Sequence, residues 1–150
     1  MKKKKLCMIA SSGGHYEQLS QLRSLEDTYD LFWVTEKTDY RQKADYYLTP
    51  TGSNDWKIIF KSFGLIAGTL KFWCKEKPDA VVTTGALIAV PVCLLAKLCK
   101  KKVIFVETFA RVHDGARTSK FMYKIADLFI YQWESLKDVY PKGVFGGSIY

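Results

Sequence analysis

The chain has no C-x-x-C pair, no apolar run long enough to span a bilayer, no internal repeat and no low-complexity linker. Each absence narrows the reading. Without paired cysteine spacings there is no zinc-ribbon or disulfide framework. Cys7, Cys74, Cys93 and Cys99 instead fall within apolar runs, as reduced thiols do in a cytosolic protein. The longest uncharged stretches, 62–70 and 81–96, fail as spanning helices: the first is too short, and the second carries Thr83, Thr84, Gly85 and a central Pro91. Lysines precede Leu6–Ala10 as they would in a secretion signal. That apolar run is too short, however, and Ser11-Ser12-Gly13-Gly14-His15 stands where a cleavage site would be. With neither linker nor repeat, residues 1–150 are expected to form one domain, large enough to build a core without staples.

Acidic residues are scarce as well. Fifteen Asp and Glu stand against 23 Lys and Arg, a formal charge of +8, with lysines clustered at Lys2–Lys5, Lys71–Lys77 and Lys97–Lys102. Such a balance suits nucleic acid, an anionic lipid leaflet, or a merely solvated surface. Neither a zinc-finger spacing nor an RNP-type aromatic signature accompanies it, so nucleic acid is not an expected partner.

What the chain does have is 48% hydrophobic and 15% aromatic residues, laid out as alternating short apolar runs and amphipathic stretches. Leu6–Ala10, Leu31–Thr35, Tyr46–Thr49, Ala80–Thr84, Val103–Val106 and Leu128–Tyr131 read as strands. Tyr16–Leu25, Asp55 to about Lys75, Pro91 to about Lys100, and Ser119–Ala126 read as helices. That alternation predicts an α/β fold with a parallel sheet covered by helices on both faces. Ligands of such sheets bind beyond the carboxyl ends of the strands. Three turns lie there: Ser11–His15, Thr84–Ala86 and Glu107–Arg111.

The first turn is the most informative. Ser11, Ser12, Gly13 and Gly14 follow a strand and open a helix, which aims backbone N–H groups at an anion such as phosphate. His15 adds an imidazole at the same place. A plain strand–helix turn with an exposed histidine is the alternative. Thr84 and Gly85 form a second small-residue turn, which alone is ordinary turn chemistry. Glu107 ends the fifth strand with Arg111 four residues on. The carboxylate can accept a sugar hydroxyl and the guanidinium can pair with phosphate, or the two can simply pair with each other.

The helix beginning near Asp55 carries a second signal. Lys57, Lys61, Gly64, Gly68, Lys71 and Lys75 share a narrow stripe at helical spacing, and most of the remaining circumference is apolar. Phe72 and Trp73, flanked by Lys71 and Lys75, suit an anchor at the lipid headgroups or a partner contact. The alternative is a helix buried on two sides within its own domain.

These motifs in this order resemble the N-terminal half of a GT-B glycosyltransferase of the MurG type. The resemblance is closer still to the anchor subunit of the two-chain N-acetylglucosaminyltransferase of asparagine-linked glycosylation, and to its bacterial counterparts in capsular and exopolysaccharide synthesis, the PssD- and CpsF-like proteins. It rests on Ser12-Gly13-Gly14-His15, Val82-Thr83-Thr84-Gly85 with Pro91, and Phe105-Val106-Glu107-Thr108. It also rests on Ile125–Ile130 followed by Gln132-Trp133, and on Tyr140–Gly143 through Tyr150. It implies a Rossmann-like domain lacking the donor-binding half. The chain would then be a non-autonomous subunit that activates a separate donor-binding chain and presents a polyprenyl-pyrophosphate-linked sugar. The eukaryotic anchor carries an N-terminal transmembrane helix, whereas this sequence begins Met1-Lys2-Lys3-Lys4-Lys5 directly before the first strand, so attachment at the cytoplasmic face of the membrane is expected to be peripheral, on an anionic surface contacted through Lys61, Lys71, Phe72, Trp73 and Lys75. The resemblance further implies His15 as general base, Glu107 orienting the acceptor or His15, and Arg111 neutralising phosphate. With no acidic D-x-D cluster, transfer is expected to need no metal and no cofactor. A scaffold without catalytic groups and a stand-alone nucleotide-binding enzyme are the competing expectations.

Overall fold

The computed structural model describes residues 3–39, 42–50, 58–85 and 87–150; the side chains of 58–63 lie outside that description. The strands are β1 (Lys5–Ile9), β2 (Asp30–Glu36), β3 (Tyr46–Leu48), β4 (Ala80–Thr83), β5 (Lys102–Val106), β6 (Leu128–Tyr131) and β7 (Val144–Phe145). The helices are α1 (Gly14–Ser20), α2 (Ile58–Glu76), α3 (Ala89–Leu98) and α4 (Arg117–Ile125). All neighbouring strands pair in parallel, in the order β3-β2-β1-β4-β5-β6-β7. The chain winds outward from the middle in both directions, so the loops after β1 and β4 part at a switch point, where α/β folds bind ligands.

Every position of β4 is buried, as is β1 beyond Lys5, which is what strands sandwiched between two layers require. Side chains alternate between the layers. Cys7, Ile9, Val34, Val81, Val103 and Phe105 meet α2, α3 and α4 on one face. On the other, Leu6, Met8, Ala10, Trp33, Ala80 and Val82 meet α1 and the 3-10 segment Gln21–Asp27. Tyr16 of α1 lies edge-on to Trp33 at 5.8 Å. The coverage is uneven. One helix and its 3-10 extension serve this second face, and they lie over β1 and β2, leaving Ile104, Leu128 and Ile130 along an open groove.

The helix expected over Tyr16–Leu25 starts at Gly14 and tightens into 3-10 geometry from Gln21. A 3-10 turn (Glu134–Leu136) and β7 were not expected. The lysine-edged helix departs most from expectation. Phe72 and Trp73 are 1% and 8% exposed, and Phe72 packs against Phe32 and Tyr46 with ring centroids 5.9 and 5.5 Å apart. They belong to the core and are not a membrane anchor, because α2 packs against both β3 and α3. The glycines of the stripe face β3: a Cβ on Gly68 would lie 2.7 Å from the Leu48 side chain. Lys71 and Lys75 are exposed, Lys75 with its Nζ 5.5 Å above the Tyr46 ring. Lys57 and the Lys61 side chain lie outside the described residues. The exposed apolar residues on α2 and around α3 are instead Ile66 and Leu70, Leu94 and Leu98, and Leu87 just before α3. Among the described residues no helix is long and apolar enough to cross a membrane.

Candidate functional site

The loop leaving β1 is fastened before it turns. The Ala10 N–H donates to Val34 O (3.3 Å), and its carbonyl accepts the Thr35 hydroxyl (3.0 Å). Ser11 and Ser12 follow, partly buried. Gly13 then takes φ +86°, and Gly85 across the switch point takes φ +108°, a region L side chains rarely adopt. An added Cβ at Gly13 or Gly14 would meet nothing within 4 Å, so the space above the loop is open. At Gly85 it would press on Phe105 at 3.3 Å.

The two loops hold each other. His15 Nδ1 lies 3.0 Å from Thr84 O, and the Thr84 hydroxyl donates to His15 O at 2.7 Å. A carbonyl only accepts, so Nδ1 carries a proton and Nε2 is the ring nitrogen left to exchange one with a ligand. The Gly85 N–H donates to Thr83 Oγ1 (3.0 Å), completing the second turn. Among the described residues, the N–H groups of Gly14, His15 and Tyr16 find no acceptor; Glu17 N–H makes the first helical bond, to Gly13 O at 3.0 Å.

Gln42 escaped the sequence reading. Its Oε1 accepts the Gly13 N–H (3.0 Å), while its Nε2 donates to Gly13 O (3.3 Å) and Glu17 Oε1 (2.8 Å). It therefore clamps the glycine loop from 29 residues away. No local pattern marks it. Gln18, one turn after His15, is 1% exposed, and its amide nitrogen finds no partner among the described residues.

The third turn does not join the other two. Glu107 is fully buried and turned towards α4. Its Oε1 accepts Thr108 N–H (3.0 Å) and the Ser119 hydroxyl (2.8 Å), and its Oε2 accepts the Tyr140 hydroxyl (2.7 Å). Burial, and then the bond to Glu107, push the Tyr140 hydroxyl far above its ordinary pKa. The backbone of Glu107 is equally occupied: its N–H donates to Ile130 O and its carbonyl accepts from Gln132. Every acceptor is thus satisfied by protein, which makes Glu107 a strut joining β5, α4 and the Tyr140 segment. The expectation that it orients the acceptor or His15 is corrected. A carboxylate this buried survives only where its oxygens are filled, and these are filled by the fold itself. Arg111 pairs with Asp114 at 3.3 Å, so the alternative of a local Glu107–Arg111 ion pair is not realised.

A family model described as oligosaccharide biosynthesis protein Alg14 like matches residues 51–149. The UDP-N-acetylglucosamine transferase subunit ALG14 of Rattus norvegicus is 42% identical over 130 residues, covering 77% of this chain and 56% of the relative. The chain spans about half the length of the curated mammalian relatives it matches. Among solved structures, the UDP-N-acetylglucosamine 2-epimerase of Rickettsia bellii superposes with TM-score 0.74 at 20% identity, covering 98% of this chain and 45% of that one. MurG of Acinetobacter baumannii gives 0.66 at 21%, covering 86% and 40%. At such identities the two structures speak for the fold alone: a Rossmann-like domain matching one half of larger two-domain enzymes.

Proposed function

This chain belongs to the Alg14-like family of oligosaccharide biosynthesis proteins, and from that premise we propose that it is the acceptor-side lobe of a two-chain glycosyltransferase. The donor half is supplied by a separate polypeptide. The acceptor is a sugar on a polyprenyl pyrophosphate, and the setting is capsular or exopolysaccharide assembly at the cytoplasmic face of the membrane. The name of the rat relative suggests UDP-N-acetylglucosamine as the donor brought by the partner.

One observation carries this reading: the reciprocal His15–Thr84 lock at the switch point, beside an open glycine loop whose N–H groups at Gly14 and His15 find no acceptor among the described residues. The Gly14 and His15 N–H groups suit a phosphate oxygen. Nε2 of His15 takes the proton of the acceptor hydroxyl while that oxygen attacks C1 of the donor sugar. The C1–O bond to the diphosphate breaks, and UDP leaves with the electron pair. Ser11, Ser12, Gly13, Thr84 and Gly85 line the approach, and Arg111 contributes positive charge from the next loop. Peripheral membrane contact falls to the outward face of α2 and α3, where Ile66, Leu70, Leu94 and Leu98 stand among Lys71 and Lys97.

The test is the chain co-purified with its donor-binding subunit. His15→Ala abolishes transfer while the complex elutes unchanged; undiminished turnover removes His15 from the chemistry. That second result would favour a purely scaffolding subunit, the reading supported by the wholly structural bonding of Glu107.

A further inference from the structure

Buried polar side chains around the loops are bonded within the fold: Thr35 to Ala10 O, Thr84 to His15 O, Gln132 to Glu107 O and Ser119 to Glu107 Oε1. Gln18 is the exception. It is 1% exposed, yet its Nε2 finds no partner among the described residues. Thr69 Oγ1 shares that condition, but it lies midway along α2, on the other face of the sheet. An unpaired donor in the interior costs stability, and a leucine or methionine would fill a buried helical position without that cost. His15, Gln18 and Leu22 follow one another at helical spacing along a single flank. His15 meets Thr84 just beyond β4, and Leu22 lines the open groove together with Val82 and Ile104, so this flank leans over the carboxyl end of β4. Gln21 and Leu22 open onto that groove and Gln18 does not, which leaves its amide enclosed beneath the His15–Thr84 lock.

We propose that Gln18 is an acceptor-binding residue, its Nε2 donating to a hydroxyl or carbonyl oxygen of the acceptor sugar beside the hydroxyl that reacts at His15. The inference rests on the reading above that the acceptor is seated at this loop. Residues three apart on a helix have their Cβ atoms about 5–6 Å apart, and the rotatable side chain of a glutamine covers that span. The space it enters is free, since a Cβ at Gly13 or Gly14 would meet nothing within 4 Å. A neutral amide N–H suits an uncharged sugar oxygen. The pyrophosphate, being charged, is better matched by the cationic Arg111 and by backbone N–H groups. The cost of the unpaired donor falls on the empty state and is relieved when the sugar arrives. A sugar lacking the oxygen leaves the donor unpaired, so the same residue selects among acceptors.

The experiment uses the complex of this chain with the donor-binding subunit, UDP-N-acetylglucosamine, and a polyprenyl-pyrophosphoryl monosaccharide as acceptor. Gln18→Met keeps the length of the side chain and removes the amide. The isolated variant should melt at the same temperature or a few degrees higher, because an unpaired buried donor has gone. In the complex, KM for the acceptor should rise about tenfold, with kcat at saturation and KM for UDP-N-acetylglucosamine little changed. Polyprenyl pyrophosphate without the sugar should inhibit the variant and the unaltered complex equally. In the unaltered chain, the Gln18 side-chain amide resonances should shift when the acceptor is added, and stay in place with polyprenyl pyrophosphate alone. A variant that melts several degrees lower, or fails to fold, means that the amide is already paired in the fold, as by a buried water, and overturns the proposal. An unchanged acceptor KM or unmoved amide resonances overturn it too. Equal weakening of the sugar-free inhibitor would give Gln18 to the pyrophosphate, and that also overturns it. Each of these leaves the two-chain reading intact. If the unaltered complex transfers no sugar, that reading fails and the proposal fails with it.

Discussion

Replacing Tyr140 by Phe isolates one atom of the buried Glu107 network. The ring contacts survive: Tyr140 lies 4.4 Å from Phe129 and 5.1 Å from Tyr123 by ring centroids, so no cavity opens. What disappears is the 2.7 Å bond to Oε2, at a carboxylate that no water reaches and whose other oxygen is already shared by Thr108 and Ser119. A hydrogen bond to a charged group contributes about 1.5–3 kcal/mol. A loss of about 2 kcal/mol in a chain of this length lowers Tm by roughly 4–8 °C. Urea titration should show the same loss as a fall in midpoint with the slope unchanged, because the surface exposed on unfolding is unchanged. Ser119→Ala should cost less, since Thr108 N–H still serves Oε1. If Glu107 is a strut, the assembled pair carrying Tyr140→Phe transfers sugar at nearly the normal rate well below its melting point. An unaltered Tm together with lost turnover would refute the strut and return Glu107 to the chemistry.

Three further outcomes are expected. Burial alone would raise the Asp127 carboxyl, but the Lys97 ammonium, the Val103 N–H and Lys102 outweigh it and hold it at about 2. A depressed carboxylate stabilises the fold above its ordinary value and loses that contribution as pH falls through its folded value. Asp127→Asn should therefore cost about 1–2 kcal/mol at neutral pH, reduced by the solvent exposure of both lysines, and flatten the loss of Tm between pH 3.8 and about 2. Thiol titration of the native chain should find Cys74 and Cys99 reacting promptly, while Cys7 and Cys93 wait for unfolding. Burial lifts both of the latter thiols, Cys93 to about 12. In sedimentation with anionic vesicles, Leu94→Glu with Leu98→Glu should release the chain at unchanged stability. Phe72→Ala should instead destabilise it by about 3–5 kcal/mol, as a core truncation does; equal vesicle loss without destabilisation would restore Phe72 to the surface.

The periodicities that identify strands and helices survive in this chain because its central strands β1 and β4 are doubly buried and its turns are marked by glycine and proline. The order of elements from β1 to β6 was therefore legible. So was the convergence of the first two turns, because Gly13 and Gly85 sit where the chain needs positive φ. Position within α2 was not. Helical spacing shows that Phe72 and Trp73 lie away from the lysines, but not which side meets the sheet, and the sheet takes the side the aromatics occupy. Glu107 misled for a related reason: a carboxylate after a strand looks the same in sequence whether it faces a crevice or Tyr140, 33 residues on. Gln42 left no trace at all, since the partners its side chain holds, the Gly13 backbone and the Glu17 carboxylate, lie 29 and 25 residues away.

The sheet is bordered by stubs of three residues in β3 and two in β7, and this has a consequence for how the molecule meets others. Borders so brief leave scarcely a ladder's worth of free main-chain groups, so lateral zipping of one chain onto another is discouraged from either side. Assemblies of this chain should accordingly form broadside, layer upon layer, and precipitates from overconcentrated solution should be amorphous instead of fibrillar.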